Sequence, residues 1–317
     1  MSSIPFKPML PSLTDDIPAS EGWIYETKYD GYRCIAKWTE NEVELYSRNG
    51  HSLNSVFPEV VDRLRALSPC IRSFLPLVLD GELCILQSPY KASFGSLQKR
   101  GRLKSREKID HVSQQTPSTY LAFDMVHIRG ETITHKPLSE RKKVLDALFG
   151  TLSDQLTEND RLALVNSFIE SGQLWSHIKE ENGEGIIAKM TSSTYDPGIR
   201  TKKWLKIKNP QKGVFFITAY EKTNGFFHVA ALQEGKPVLA GLFSNGISPA
   251  ERESLIQVLK KNKAAENARF ITVAPSICVE LEYLEIYKNQ LRHPRFVTFR
   301  FDVSWEDCTW ERIVSRK

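Results

Sequence analysis

A change of pattern near residue 210 divides this sequence. Before it, short strand-like runs alternate with amphipathic helical stretches; after it, nearly every apolar run has the shape of a strand. The boundary is Asn209-Pro210-Gln211-Lys212-Gly213, a short polar segment with both Pro and Gly, which reads as a hinge. A chain of 317 residues is more than one compact core usually takes. Two domains are therefore expected, residues 1–209 and 210–317.

In the first, strands are predicted at Trp23–Thr27, Leu77–Leu86, Tyr120–Val126, Gly185–Lys189 and Trp204–Lys208. Tyr32–Trp38 and Val43–Ser47 form a hairpin across the polar turn Thr39-Glu40-Asn41-Glu42, and Asp80-Gly81 marks a bend or a close backbone approach. Val60, Val61, Leu64 and Leu67 fall at helical spacing between Phe57 and Leu67. A helix over Ser139–Leu148 is expected to stop at Gly150, and another to run from Glu158 to Ser171. Beyond the break, strands are predicted at Val214–Glu221, Phe226–Leu232, Val238–Phe243, Cys278–Tyr287 and Phe296–Asp302. One helix is started by the capping box Ser248-Pro249-Ala250-Glu251. Five strands with one inserted helix suggest a small closed barrel of the OB type, with a generic sandwich as the alternative. The fold class is thus α+β: antiparallel sheets with helices, then a barrel.

Composition narrows the function classes. Lys and Arg total 43 against 38 Asp and Glu, a net charge of +5 that fits a localised basic footprint rather than a basic tail. No apolar run reaches the roughly 20 residues needed to span a bilayer, and Met1–Asp15 lacks the apolar middle of a secretory signal. The five cysteines are scattered, odd in number and without a CxxC pair. This argues against a disulfide framework or a four-cysteine zinc site and for reduced thiols in a cytoplasmic protein.

The chemistry concentrates in Glu26-Thr27-Lys28-Tyr29-Asp30-Gly31-Tyr32-Arg33, where a lysine ends a strand before an Asp-Gly turn. Other short segments accompany it: Ser47-Arg48-Asn49-Gly50, Leu79-Asp80-Gly81-Glu82-Leu83, Ala122-Phe123-Asp124, Glu184-Gly185-Ile186-Ile187-Ala188-Lys189 and Trp204-Leu205-Lys206-Ile207-Lys208. In the last of these two lysines share a strand face. Together, in this order, the segments resemble the covalent nucleotidyltransferase superfamily. They are most similar to ATP-dependent DNA ligases, and among these to the ligase module of bacterial end-joining repair ligases.

The resemblance implies an adenylation (nucleotidyltransferase) domain followed by an OB-fold domain. Lys28 would be the nucleophile that takes AMP from ATP. A free lysine amine is only about one part in a thousand neutral at pH 7, so neighbouring cations must favour the neutral form. Glu82 and Glu184 would hold Mg2+ (or Mn2+) with the nucleotide phosphates, Glu82 also contacting the ribose. Phe123 would stack on adenine and Glu26 would read its amino group; Thr27 belongs to the same nucleotide-binding set. Arg33 and Arg48 correspond to ribose and phosphate contacts, and Lys206 and Lys208 to α-phosphate contacts. Asp30, Lys189 and Arg200 (in Tyr195-Asp196-Pro197-Gly198-Ile199-Arg200) match further positions near the nucleotide or DNA. A last motif, Arg300-Phe301-Asp302, follows Leu291-Arg292-His293-Pro294-Arg295-Phe296; the basic residue usual after the aspartate is here Val303.

A basic stretch containing Lys99, Arg100, Arg102 and Lys104 is expected to bind DNA phosphates, with Lys202, Lys203, Lys206 and Lys208 as a second patch. The implied partners are nicked or broken duplex DNA, the Ku end-binding protein and a repair polymerase, the protein acting as a monomer at the bacterial nucleoid in double-strand break repair. Nothing resembles the zinc ribbon or helix-hairpin-helix array of NAD-dependent ligases, which favours ATP. An RNA ligase or mRNA capping guanylyltransferase of the same chemistry, and a non-catalytic DNA clamp, stay open. A GxxxxGK[ST] phosphate loop is absent from the sequence.

Overall fold

The computed structural model describes residues 7–314. The opening of Met1–Asp15 lies outside the described residues. The chain divides into two compact units, Met1–Asn209 and Pro210–Lys317.

The first unit is built on two sheets. One has the order Leu10–Leu13, Arg200–Lys208, Gly185–Met190, Trp23–Thr27, Ser167–Phe168; it is antiparallel except for its first pair. The other runs Leu162–Leu164, Thr119–Ile128, Leu77–Cys84, Tyr32–Trp38, Val43–Ser47. Its Tyr32–Trp38 and Val43–Ser47 strands form the expected antiparallel hairpin. The main core lies on this second sheet, where Trp38, Leu79 and Tyr120 meet the helices Pro58–Leu67 (through Val60 and Leu64) and Leu138–Leu152 (through Leu145 and Leu148). Gly81 is a close approach inside a strand, at a step where the pairing with Thr119–Ile128 slips register: a Cβ there would lie 2.5 Å from the Tyr120 ring.

Three expectations need correction. The helix begun near Ser139 does not stop at Gly150 but runs to Leu152, because Leu148, Phe149 and Leu152 bury against the core. That burial outweighs the roughly 1 kcal/mol cost of an interior glycine. The helix expected over Glu158–Ser171 does not form. Leu162–Leu164 instead pairs in parallel with Tyr120–Ala122, Ser167–Phe168 extends the first sheet, and the helix is Ser171–Glu180. The strand expected over Leu77–Leu86 ends at Cys84, and Leu86–Ser88 pairs separately with Lys91–Ala92. The basic stretch is helical in two pieces, Phe94–Gly101, capped by Ser93, and Arg106–Gln115.

The second unit is built on one seven-stranded sheet, with a separate short pair, Ile286–Tyr287 and Gln290–Leu291; the seven strands form one branched sheet rather than two stacked ones, which fits an OB-like barrel and not a sandwich. Its long central strand Gln211–Glu221 is shared: along one edge Ala219–Glu221 pairs with Phe270–Thr272, while Gln211–Phe216 pairs with Cys278–Tyr283. Its other edge carries Phe226–Gln233 and then Lys236–Phe243. Helix Pro249–Lys261 is inserted as expected, with the full Ser248–Glu251 capping box. The strands Lys263–Glu266 and Phe270–Val273 went unread in the sequence, and the run expected over Cys278–Tyr287 breaks after Tyr283. The strand expected over Phe296–Asp302 is Arg295–Phe299. Only Asn209 and Pro210 separate the last strand of the first unit from the first strand of the second.

Candidate active site

Lys28 stands just past the end of the Trp23–Thr27 strand. Thr27 pairs with Ile186, and the Lys28 N–H donates to the Gly185 carbonyl at 2.9 Å, so Lys28 is held beside Glu184. The Lys28 ammonium and the Glu184 carboxylate form an ion pair. The arrangement requires glycine at 185: its φ is +141°, and a Cβ would lie 2.0 Å from the Ile207 carbonyl oxygen. Lys28, with its side chain 17% exposed, opens onto a cavity of about 200 Å³ in the first unit.

Glu82 lines the same cavity. Its strand neighbour is Arg33, and two positions earlier Asp80 is fully buried opposite Ile35. Burial pushes the Glu82 carboxyl up to about 8; Arg33 and Lys28 pull it down, and Glu184 and Asp80 push it further up. Asp80 grips Arg33 with two hydrogen bonds of 2.6 Å and accepts a third, also 2.6 Å, from the Tyr195 hydroxyl. So fixed, the Arg33 guanidinium lies 4.5 Å from the centroid of the Phe123 ring.

The inner end of the cavity is a buried polar knot. Glu26 is ion-paired with Lys189 at 2.6 Å and with Lys142, and accepts a hydrogen bond from Ser167 at 3.2 Å. Burial alone would raise the Glu26 carboxyl, but the two ammonium groups more than offset it and hold the carboxyl below its ordinary value. Lys189 is 2% exposed. Burial brings its amine down to about 8 against the pull of Glu26, with Lys142 pushing the same way as burial. Its Nζ lies 4.2 Å from the Phe123 ring centroid and 4.3 Å from that of Trp204. Lys189 and Trp204 are register partners on adjacent strands.

Along the outer wall, Lys206 faces Ile187 on the neighbouring strand. Its amine is lowered by burial and by Lys28, Arg200 and Lys208. Arg48 is exposed at the rim, and Arg200 donates to the Pro11 carbonyl at 2.6 Å. Among the described residues no group of three or more His, Cys, Asp or Glu side chains is placed to hold a metal ion. A divalent cation here would rest on the two carboxylates Glu82 and Glu184 plus ligands from a substrate. That suits magnesium, which is commonly bound by one or two carboxylates and substrate phosphates.

The profile of the ATP dependent DNA ligase domain family matches residues 8–208. The chain belongs to this family. A bifunctional non-homologous end joining protein, LigD of Bacillus subtilis strain 168, is 34% identical over 310 residues, covering 96% of this chain and 51% of the relative. A DNA ligase of Methanocella arvoryzae is 27% identical over 337 residues, covering 98% of this chain and 58% of that protein. The chain thus spans about half the length of the curated relatives it matches. The solved ligase domain of LigD from M. tuberculosis has the same fold, with a TM-score of 0.55 at 24% identity over 96% of this chain and 98% of that one.

Within this ligase-domain fold the structure gathers Glu26, Thr27, Lys28, Arg33, Arg48, Glu82, Phe123, Lys189, Arg200 and Lys206 around one cavity, and Glu184 joins through Lys28. Lys208 and Asp30 do not line it. Arg300 belongs to the second unit, held by Asp302 at 2.7 Å and Glu280 at 3.2 Å. Lys99, Arg102 and Lys104 are exposed, as a phosphate-binding role needs. Arg100 is a correction: it is 1% exposed, and its guanidinium is spent on the Val56 carbonyl (2.8 Å) and Glu59 (2.7 Å). It ties two helices together and is out of reach of DNA. Sequence reasoning missed Leu10, Pro11, Tyr29, Ile187 and Trp204 in the lining, and Lys142 behind it. Trp204 had a signal, an aromatic in strand alternation with Lys206; Lys142, on a helix, had none.

Proposed function

We propose that this chain is an ATP-dependent DNA ligase that joins a 5′-phosphate to a 3′-hydroxyl through a covalent lysyl-AMP. The observation that carries the reading is Lys28, paired with Glu184 and backed by Glu82, at the edge of a cavity whose inner end carries Phe123 and Glu26. In the first step the Lys28 amine attacks the α-phosphorus of ATP; a P–N bond forms and pyrophosphate leaves. The nucleotide then passes to an oxygen of the 5′-phosphate, freeing Lys28. The 3′-hydroxyl oxygen finally attacks that phosphate and AMP leaves.

Phe123, fixed by Arg33, offers a ring for the base, with Glu26 and Lys189 facing its polar edge. Thr27, Arg33, Arg48, Arg200, Lys206 and Lys208 supply ribose and phosphate contacts, and Asp30 positions the turn beside Lys28. Glu82 and Glu184 would hold Mg2+ or Mn2+, which neutralises phosphate charge. The raised Glu82 carboxyl fits this role, because a cation offsets the burial, and the smaller push of Glu184 and Asp80, that keeps it protonated.

On this reading residues 1–209 are the adenylation domain and residues 210–317 the OB domain that presents Arg300. The substrate is nicked or broken duplex DNA, gripped in part by Lys99, Arg102 and Lys104. Similarity to a relative named for non-homologous end joining supports a role in double-strand break repair; the reading extends to action at the nucleoid as a monomer, with Ku and a repair polymerase as partners. The test is incubation with α-labelled ATP and magnesium, then denaturing electrophoresis. Label that is retained by the wild type, absent in Lys28→Ala and released by pyrophosphate is expected. Label from GTP instead would transfer the reading to a capping enzyme.

A further inference from the structure

Cys278 and Cys308 stand with their sulfurs 3.7 Å apart in the second unit. Cys278 opens the Cys278–Tyr283 strand and pairs with Phe216 on the central strand. Cys308 follows the short helical turn Trp305–Asp307, and its carbonyl accepts from the Leu232 N–H at 2.7 Å. Both ends are therefore anchored by backbone to the same sheet. The thiols are 3% and 2% exposed and share one apolar cluster with Phe216 and Leu232. A disulfide needs its sulfurs at about 2.05 Å. At 3.7 Å the sulfurs are in contact, which is the starting geometry such a bond needs.

Two further features favour reaction. Cys308 borders a cavity of about 140 Å³ within this unit, room for a molecule of peroxide size. Either thiol can donate in the contact between the sulfurs, and the Cys308 thiol also reaches the Ser304 carbonyl at 3.7 Å; the shared contact lowers the Cys278 thiol while raising that of Cys308, and thiolate character is what an oxidant meets. The other cysteines have different settings: Cys34 and Cys84 are buried in the first unit and Cys70 is exposed.

We propose that Cys278 and Cys308 are a reversible oxidation site, converted by a hydroperoxide to a disulfide that ties the C-terminal segment to the barrel sheet. Each thiol gives up one proton and one electron, the S–S bond forms, the O–O bond of hydrogen peroxide breaks, and two waters leave. A dithiol reductant reverses the step. The closed loop contains Arg300, whose N–H already donates to the Cys278 carbonyl at 2.9 Å. Oxidation therefore restrains the stretch Arg300–Asp302. This site does not depend on the ligase reading.

The experiment uses the full chain with only the exposed thiol removed, Cys70→Ala, treated with hydrogen peroxide. Four of the five native thiols remain before treatment. Titration after denaturation is expected to find two thiols after treatment and four again after dithiothreitol. A proteolytic digest is expected to contain one linked pair, Cys278 to Cys308, lighter by two hydrogens than its separate peptides. Adding Cys308→Ala should abolish the linked peptide. Four thiols persisting in the folded chain, while a denatured sample oxidises, would overturn the proposal. So would a link that involves Cys34 or Cys84 instead.

Discussion

The Lys28 ammonium is paired with the Glu184 carboxylate because one backbone hydrogen bond, Lys28 N–H to Gly185 carbonyl at 2.9 Å, locks the two strand ends in register. On the proposed reading, the amine that attacks and the carboxylate beside it are thus set by sheet geometry rather than by a loop. Lys28→Ala is expected to leave no covalent AMP. Glu184→Gln keeps a group of the same shape but loses the charge, so the rate of AMP transfer to Lys28 should fall about 10²-fold. The folded state should lose about 1–3 kcal/mol, since the pair is mostly buried but opens onto the cavity. Single-turnover labelling alongside urea unfolding separates the two effects. Full activity in Glu184→Gln would remove this pair from the chemistry.

Gly185 is the backbone condition for that pair. An alanine there would meet the Ile207 carbonyl oxygen at 2.0 Å and carry a φ of +141°. The clash and the strained backbone together should cost about 3 kcal/mol. Strand Gly185–Met190 must shift against Arg200–Lys208, carrying Glu184 away from Lys28. Gly185→Ala should therefore lose stability and labelling together, whereas Gly150→Ala, where a Cβ meets nothing within 4 Å, should be neutral or slightly stabilising. Equal unfolding midpoints for the two variants would refute the argument.

Glu82 gives a pH signature. Its carboxyl moves from an ordinary value of 4.5 to about 8 in the fold. Between those values the folded chain keeps a proton that the unfolded chain has released, so this group makes stability fall as pH rises through the window and level off above it. By linkage a shift of that size corresponds to a penalty on the order of 4 kcal/mol at pH 8. Glu82→Gln should then be more stable than the wild type at pH 8 and equal to it at pH 4, while AMP transfer to Lys28 is impaired. Added magnesium should narrow the gap at pH 8 by stabilising the wild type more than the variant. Urea unfolding at the two pH values checks this; a difference independent of pH would show that Glu82 ionises normally.

The legible part of this protein was the part written in strands. Lys28, Glu82, Phe123, Glu184 and Lys206 sit at the ends or on one face of short strands, where period-two alternation exposes their orientation. Pairing of those strands then brings the segments to one cavity. The helices were harder to read. The segment after Glu158 has apolar residues at both helical and strand spacing, and its outcome was decided by a parallel partner at Tyr120–Ala122 that no local pattern announces. Gly150 looked like a stop because the sequence cannot show that Leu152 reaches the core. Lys142 could not be found at all, since its role is to face Glu26 from a helix distant in sequence.

The basic segment around residue 100 divides by burial, and the division yields a test. Lys99, Arg102 and Lys104 are exposed, while Arg100 between them is buried with Glu59 and the Val56 carbonyl. A charge facing solvent next to phosphates releases counterions on binding; a charge buried in a fold does not. Replacing Lys99, Arg102 or Lys104 by Ala should weaken binding of nicked duplex and reduce the slope of log affinity against log salt by about 1 each, with stability unchanged. Arg100→Ala should instead leave the salt slope alone and cost about 3 kcal/mol or more, because the half-buried Glu59 loses its charged partner and the Val56 carbonyl its donors. Fluorescence anisotropy with nicked duplex over a salt series, paired with urea unfolding, distinguishes the four positions. An Arg100→Ala chain that folds as stably as the wild type but binds DNA with a shallower salt slope would place that guanidinium back on the DNA surface.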